Sequence, residues 1–177
     1  MRLIKTIIWC FLINCVRDVT SRIIYLLFKP FQLVENPGKW LEVSAEKDIE
    51  KFAEVISKFQ YKSDPMGGIL DYTQYNLDVF FNTEEHSSDC DDFAWLYFQW
   101  AKRHNHKAWY VAINNGLSLK RGHFVTVIKI AESYFLCNYS IAGKYKNLEE
   151  SIKQFEIREL VLGGKYDDIV WCVNENV

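Results

Sequence analysis

Several motifs that would assign a chain to a common class of protein are missing from this sequence. It has no Cys-x-x-Cys pair, which argues against structural zinc, and its five cysteines are an odd number without regular spacing, which argues against a disulfide framework. A P-loop, a glycine-rich dinucleotide fingerprint and internal repeats are also absent. The net charge of −2 leaves no overall positive field that would attract nucleic acid. Reduced thiols and a cytoplasmic location are the simplest interpretation.

The composition is that of a folded domain. The chain has 177 residues, of which 49% are apolar and 16% aromatic, and these fractions are too high for a disordered chain. Apolar residues recur at helical spacing in the first half of the chain and mostly in β-branched runs afterwards. This order predicts an α+β fold, in which helices precede a largely antiparallel sheet.

The same patterns predict the individual elements. Ser44 is the expected cap of the second helix, after a loop at 31–43, and Asn147 begins a capping box before the last helix. The predicted helices are 3–28, 44–59, 74–82, 90–103 and 147–155, and the predicted strands are 108–113, 123–130, 134–140, 157–162 and 168–173.

Residues 1–30 form a separate predicted unit, an amphipathic helix that precedes a domain at 31–177. Its uncharged stretch, residues 6–16, is shorter than the roughly 20 residues that cross a bilayer. It could belong to an export or lipoprotein signal, but no small-residue cleavage site follows it. The excess of basic residues over Asp18 would also suit contact with an anionic membrane surface. We expect the second half of this helix, from Val19, to pack against the domain, with membrane association or export as alternatives.

Residues 88–93, with the sequence Ser-Asp-Cys-Asp-Asp-Phe, carry the strongest functional signal. An apolar run at helical spacing follows, and acidic residues favour the first turn of a helix because its free N–H groups and dipole attract negative charge. Cys90 is therefore expected at a helix N-terminus, where the nucleophilic thiolate is stabilised. The flanking carboxylates oppose thiolate formation, so a nucleophilic Cys90 needs a partner, and histidine is the usual one.

A histidine and an asparagine that could complete such a site follow downstream. His123 opens a strand pattern rich in β-branched residues, and Asn138 lies near the end of the next strand. A two-residue turn at 131–132 pairs Ile130 with Ser133. In that register His123 and Asn138 lie on one face of the sheet as diagonal neighbours, and a slip of one residue would separate them.

The order of these three residues resembles the transglutaminase-like (papain-like) superfamily. In that family a cysteine at a helix start is followed by a histidine at a strand start and by Asp or Asn on the next strand. Residues 89–94, Asp-Cys-Asp-Asp-Phe-Ala, are most similar to bacterial transglutaminase-like cysteine proteinases, and residues 64–72 resemble the loop that leads into their nucleophile. The resemblance covers roughly residues 60–140. Asn138 departs from the usual Asp, although papain-like enzymes use Asn in this role.

The resemblance implies a cysteine peptidase or amidase of papain/transglutaminase-like fold that acts on a protein or peptide substrate. Cys90 would attack the carbonyl carbon, His123 would transfer the proton, and Asn138 would orient the imidazole. No cofactor is required, but some of these proteinases depend on calcium, and Asp89 and Asp91 match the acidic positions beside their nucleophile. A transglutaminase-type acyl transferase is one alternative. A non-catalytic binding or assembly domain of the same fold is another, from a different class.

Each of these residues also has a purely structural interpretation. Cys90 could be a small buried side chain, His123 a structural histidine, and Asn138 a residue that bonds a turn. The acidic residues could serve only the helix start. If the site is catalytic, the N–H of Cys90 is a natural oxyanion donor, and Tyr72 and Gln74 are candidates for the second donor.

Overall fold

The computed structural model describes residues 19–20, 22–27, 37–59, 77–81, 88–115, 122–161 and 169–174. These residues form an α+β structure with an antiparallel sheet. The helices are α1 (Lys39–Val43), α2 (Ile49–Ile56), α3 (Leu77–Phe80), α4 (Cys90–Arg103) and α5 (Leu148–Val161), preceded by the helical residues 19–20 and 22–27. The strands are β1 (Lys107–Asn115), β2 (Gly122–Ile130), β3 (Ser133–Cys137), β4 (Ile141–Tyr145) and β5 (Ile169–Asn174). Within the described ranges, no helix is long and apolar enough to cross a membrane.

The five strands have the order β4-β3-β2-β1-β5, and every neighbouring pair is antiparallel. Successive side chains of a strand point to opposite faces of the sheet, so each face of β2 packs against a different helix. Thr126 and Ile128 lie on the face that packs against α4. Val125 and Val127 lie on the face that packs against α5. The centre of the sheet, at β2, is therefore buried between these two helices.

Helix α4 has the bounds that the sequence predicts, Cys90–Arg103. A capping box forms its first turn: the Asp89 carboxylate accepts the N–H of Asp91, and the Asp92 carboxylate accepts the N–H of Asp89, both at 3.3 Å. These bonds satisfy N–H groups that have no partner inside the helix. The capping box thus fixes the point at which α4 begins, with Cys90 as its first residue.

Helix α2 is not capped by Ser44, and that prediction is wrong. The cap is Asp48, whose carboxylate accepts the N–H groups of Glu50 at 2.9 Å and Lys51 at 3.4 Å. Ser44 is fully buried, and its hydroxyl accepts a hydrogen bond from the Arg103 guanidinium at 2.8 Å. The serine therefore connects the end of α4 to the chain before α2, a contact between residues that are distant in sequence.

The prediction of a loop at 31–43 is wrong for its last five residues, because they form helix α1. The carboxylate of Asp78, in α3, accepts hydrogen bonds from the N–H groups at the start of α1, from Gly38 at 3.1 Å and from Trp40 at 2.8 Å. Gly38 has φ 83°, a left-handed conformation that glycine adopts without strain. The capping group is remote in sequence, so local patterns do not reveal this helix.

After residue 140, one predicted strand is wrong and one observed strand was not predicted. The strand predicted at 157–162 is wrong, because α5 continues to Val161; glutamate and arginine in this stretch favour a helix. Strand β4 has no counterpart in the prediction, since Gly143 weakens its strand pattern. The Tyr145 ring lies against Gly143, so a Cβ atom at this position would force that side chain to move. Strand β5 confirms the strand predicted at 168–173.

The N-terminal segment is helical at 19–20 and 22–27, as predicted. The expectation that the apolar face of this half packs against the domain is wrong. Four aliphatic side chains on that face are more than half exposed: Val19, Ile23, Leu26 and Leu27.

Candidate functional site

The imidazole of His123 and the side chain of Asn138 are hydrogen-bonded. Ile130 pairs with Ser133 across the turn at 131–132, which confirms the predicted register of β2 and β3. The separation between His123 Nε2 and Asn138 Oδ1 is 2.9 Å. A carbonyl oxygen only accepts hydrogen bonds, so Nε2 carries a hydrogen. In the neutral imidazole, Nδ1 is then left with a lone pair that can accept a proton.

Two aromatic rings hold the plane of the His123 ring. The buried ring of Phe155, from α5, stacks on it in parallel, with 5.4 Å between centroids and an interplanar angle of 6°. Tyr139 meets it at 5.9 Å and 67°. The imidazole is thus restrained by Asn138 at its edge and by Phe155 on its face. Phe155 was not among the predicted site residues; the apolar face of α5, on which Ile152 lies three residues earlier, is the signal that could have found it.

Cys90 is half-buried at the first position of α4. One turn later, the ring of Phe93 meets Tyr139 edge-on at 5.2 Å and 88°. Tyr139 is therefore in contact with His123 on one side and with the helix of Cys90 on the other. The buried Thr126 hydroxyl, on β2, donates to the carbonyl oxygen of Ala94 at 2.6 Å. These contacts fix the start of α4 relative to the strand that carries His123.

The faces of the sheet limit how Cys90 and His123 can meet. Alternation along β2 places His123 on the same face as Val125 and Val127, which is the α5 face, whereas α4 packs on the other. However, β3 ends at Cys137, so among the described strands none pairs with the first residues of β2 on that edge. A thiol–imidazole contact would form around this end of β2. The structure brings His123 and Asn138 together, and the role of Cys90 stays a prediction.

The acidic residues beside Cys90 take part in the capping box of α4. Asp91 and Asp92 are buried, and Asp89 is half-buried. One potential ligand atom each from Asp89, Cys90 and Asp91 lies within 4.8 Å of the others. Calcium takes six to eight oxygen ligands, and this group offers two carboxylates and a sulfur that suits softer metals. The calcium site stays a prediction. Residues 72 and 74, the candidates for the second oxyanion donor, lie outside the described residues.

No family model matches the chain, and no curated protein or solved structure matches it. The function of the site therefore has to be inferred from its own geometry and chemistry.

The two cysteines whose side chains are described differ in their environment. Cys137 is fully buried on β3, and this burial raises the pKa of its thiol well above the ordinary value. The neighbouring Tyr97 is also buried; burial first, and the charge of Cys137 second, raise the pKa of its hydroxyl. Cys137 is thus an inert core residue. Of these two cysteines, Cys90 is the one that a substrate could reach.

Proposed function

We propose that the chain is a cysteine hydrolase, a peptidase or amidase of papain/transglutaminase-like fold. Cys90 is the nucleophile, His123 the base and acid, and Asn138 the group that orients the imidazole. The observation that carries this proposal is the hydrogen bond between His123 Nε2 and Asn138 Oδ1, because it leaves Nδ1 as the proton acceptor. The position of Cys90 at the start of α4 supports it, since a helix N-terminus stabilises a thiolate.

The reaction follows from these roles. The thiol proton of Cys90 moves to Nδ1 of His123, and the thiolate attacks the carbonyl carbon of the substrate. The oxyanion that forms is stabilised by the main-chain N–H of Cys90. His123 then gives the proton to the leaving amine, and a thioester remains on Cys90. Water, deprotonated by His123, breaks the thioester, which releases the acid and restores the thiol.

Two alternatives use the same residues differently. If an amine instead of water breaks the thioester, the chain is a transglutaminase-type acyl transferase. If Cys90 never reaches His123, the chain is a non-catalytic binding domain, and the stacked, hydrogen-bonded His123 is a structural histidine. The second alternative draws support from the position of His123 on the α5 face of the sheet.

Alkylation of Cys90 by iodoacetamide distinguishes an enzyme from a binding domain without a known substrate. The rate is followed by mass spectrometry of the Cys90 peptide between pH 5 and 9. An ordinary thiol titrates near pH 8.5, whereas a thiol paired with imidazole reacts well below that. In the wild type the reaction should persist to pH 6, and His123→Ala should return it to the ordinary profile. His106→Ala, which removes a histidine outside the site, is the control. An ordinary profile in the wild type would contradict the proposal.

We also propose a calcium site at Asp89 and Asp91, which is tested separately. If calcium binds only the folded state, it raises the melting temperature of the protein. Asp89→Asn removes a charge but keeps a good helix cap, so it isolates the ligand role. A melting shift with millimolar calcium that disappears in Asp89→Asn supports the site. No shift in the wild type leaves these residues with the helix cap alone.

A further inference from the structure

The helical residues 19–20 and 22–27 present an unusual surface. The exposed fraction is 56% for Val19, 54% for Ile23, 62% for Leu26 and 65% for Leu27. These four residues are named the aliphatic face. At about 100° per residue they fall within an arc of about 100° on one side of the helix. An apolar stripe of this width normally faces a core, and here it faces solvent.

The opposite side of this helix is the side that the protein covers. Ile24 and Tyr25 lie away from the aliphatic face and are half-buried. Burial also raises the pKa of the Tyr25 hydroxyl above its ordinary value. The orientation therefore leaves the aliphatic face available to a partner. Soluble monomers rarely expose contiguous apolar patches, and a patch of this kind marks an interaction surface.

The charge distribution indicates which partner covers it. Residues 1–29 contain five basic residues and one acidic residue, a net charge of +4. Residues 30–177 contain 16 basic and 22 acidic residues, a net charge of −6. An anionic surface attracts the first segment and repels the rest, so it selects this end of the molecule. A second copy of the chain would bring two positive segments together, which disfavours a dimer through this face.

We propose that the aliphatic face is a docking surface for an anionic lipid bilayer. The helix lies in the plane of the interface, with Val19, Ile23, Leu26 and Leu27 in the boundary between headgroups and acyl chains. The basic residues of the segment contact the headgroups. This mode of binding requires no membrane-spanning helix. It is independent of the chemistry at Cys90, so either can fail without the other.

Co-sedimentation of the full chain with vesicles tests the proposal. The vesicles are phosphatidylcholine alone, or phosphatidylcholine with 30% phosphatidylserine. The wild type should bind the second kind only, and more weakly as salt increases. Leu26→Gln with Leu27→Gln should reduce binding at least about tenfold, because two buried leucines are lost. Leu41→Gln is the matched control, since Leu41 is 60% exposed on α1 and should not change binding.

Four outcomes would overturn the proposal. The wild type could fail to bind phosphatidylserine vesicles, or the double variant could bind as well as the wild type. The wild type could also form a dimer in analytical ultracentrifugation that the double variant loses, in which case a second copy covers the aliphatic face. Circular dichroism of the double variant should match that of the wild type, because all its changed side chains are exposed. A variant that unfolds shows that the face is part of the core.

Discussion

The orientation of the His123 ring is the property on which the proposed chemistry depends, and two substitutions perturb it separately. Asn138→Ala removes the hydrogen bond at the edge of the ring, and Phe155→Leu removes the stacked face while keeping an apolar side chain. A hydrogen bond of this kind contributes about 0.5–1.5 kcal/mol. If this hydrogen bond is needed to orient Nδ1 towards the Cys90 thiol, Asn138→Ala should slow alkylation of Cys90 by about two- to thirteenfold.

The two restraints hold the same ring, so their loss should not be additive. With Asn138 present, Phe155→Leu should slow alkylation by no more than about tenfold, since an aromatic pair is worth about 0.5–1.5 kcal/mol beyond its buried area. With both removed, only the edge contact with Tyr139 remains, and the rate should approach that of His123→Ala. The expected coupling is at least about 0.5 kcal/mol, within the range found for residues that share a partner.

The assay is the second-order rate of Cys90 alkylation at pH 6.5 in the wild type, both single variants, the double variant and His123→Ala. Phe135→Leu is the control for general loss of packing, because Phe135 is a buried aromatic on the other face of the sheet. Unfolding in urea checks that each variant is folded. Additive effects, or single variants that react like the wild type while His123→Ala does not, would refute the idea that ring orientation controls reactivity.

Three further predictions concern the surroundings of the site. Thr126→Val removes the buried hydrogen bond to Ala94, so the free energy of unfolding in urea should decrease by about 1 kcal/mol. Because α4 is then held less firmly against β2, alkylation of Cys90 should also be slower. Cys137 should resist iodoacetamide at pH 8 in the folded protein and react only in urea, because its buried thiol has a raised pKa; labelling of the folded protein would contradict this burial. Burial first, and the neighbouring His104 second, lower the pKa of His106, so the folded state binds this proton less readily than the unfolded chain. The stabilising effect of His106 should be fully present above about pH 6.5. Below that pH the unfolded chain takes up the proton more readily, so the free energy of unfolding should decrease. His106→Gln should remove this part of the pH dependence of thermal unfolding.

Local sequence signals predicted α4 and the β2–β3 hairpin. The capping box at Asp89 and Asp92 and the apolar spacing after it fix the helix within one continuous segment. The turn at 131–132 likewise fixes the register, and with it the hydrogen bond between His123 and Asn138. In both cases the groups that decide the geometry are close together in sequence, so a pattern can reveal them.

Several of the failures have the opposite cause. Helix α1 begins at N–H groups that the carboxylate of Asp78 accepts, and the Ser44 hydroxyl is bonded by Arg103 instead of capping α2. Asp78 and Arg103 are both far from these residues in the chain. Strand β4 is stabilised by its pairing with β3, although Gly143 hides its pattern. The stack of Phe155 on His123 requires knowing that α5 covers that face of the sheet. Contacts of this kind are set by the packing of whole elements, which a single sequence does not display.

The short hairpin between β2 and β3 has a consequence for how this protein tolerates changes in length. Its first turn residue, Ala131, has φ 52°, a left-handed conformation that glycine adopts more easily than alanine. Ala131→Gly therefore relieves local strain without altering the spacing. An insertion of one residue would instead displace β3 by one position and exchange the faces of its side chains. Asn138 would then leave His123, although every residue of the site would still be present.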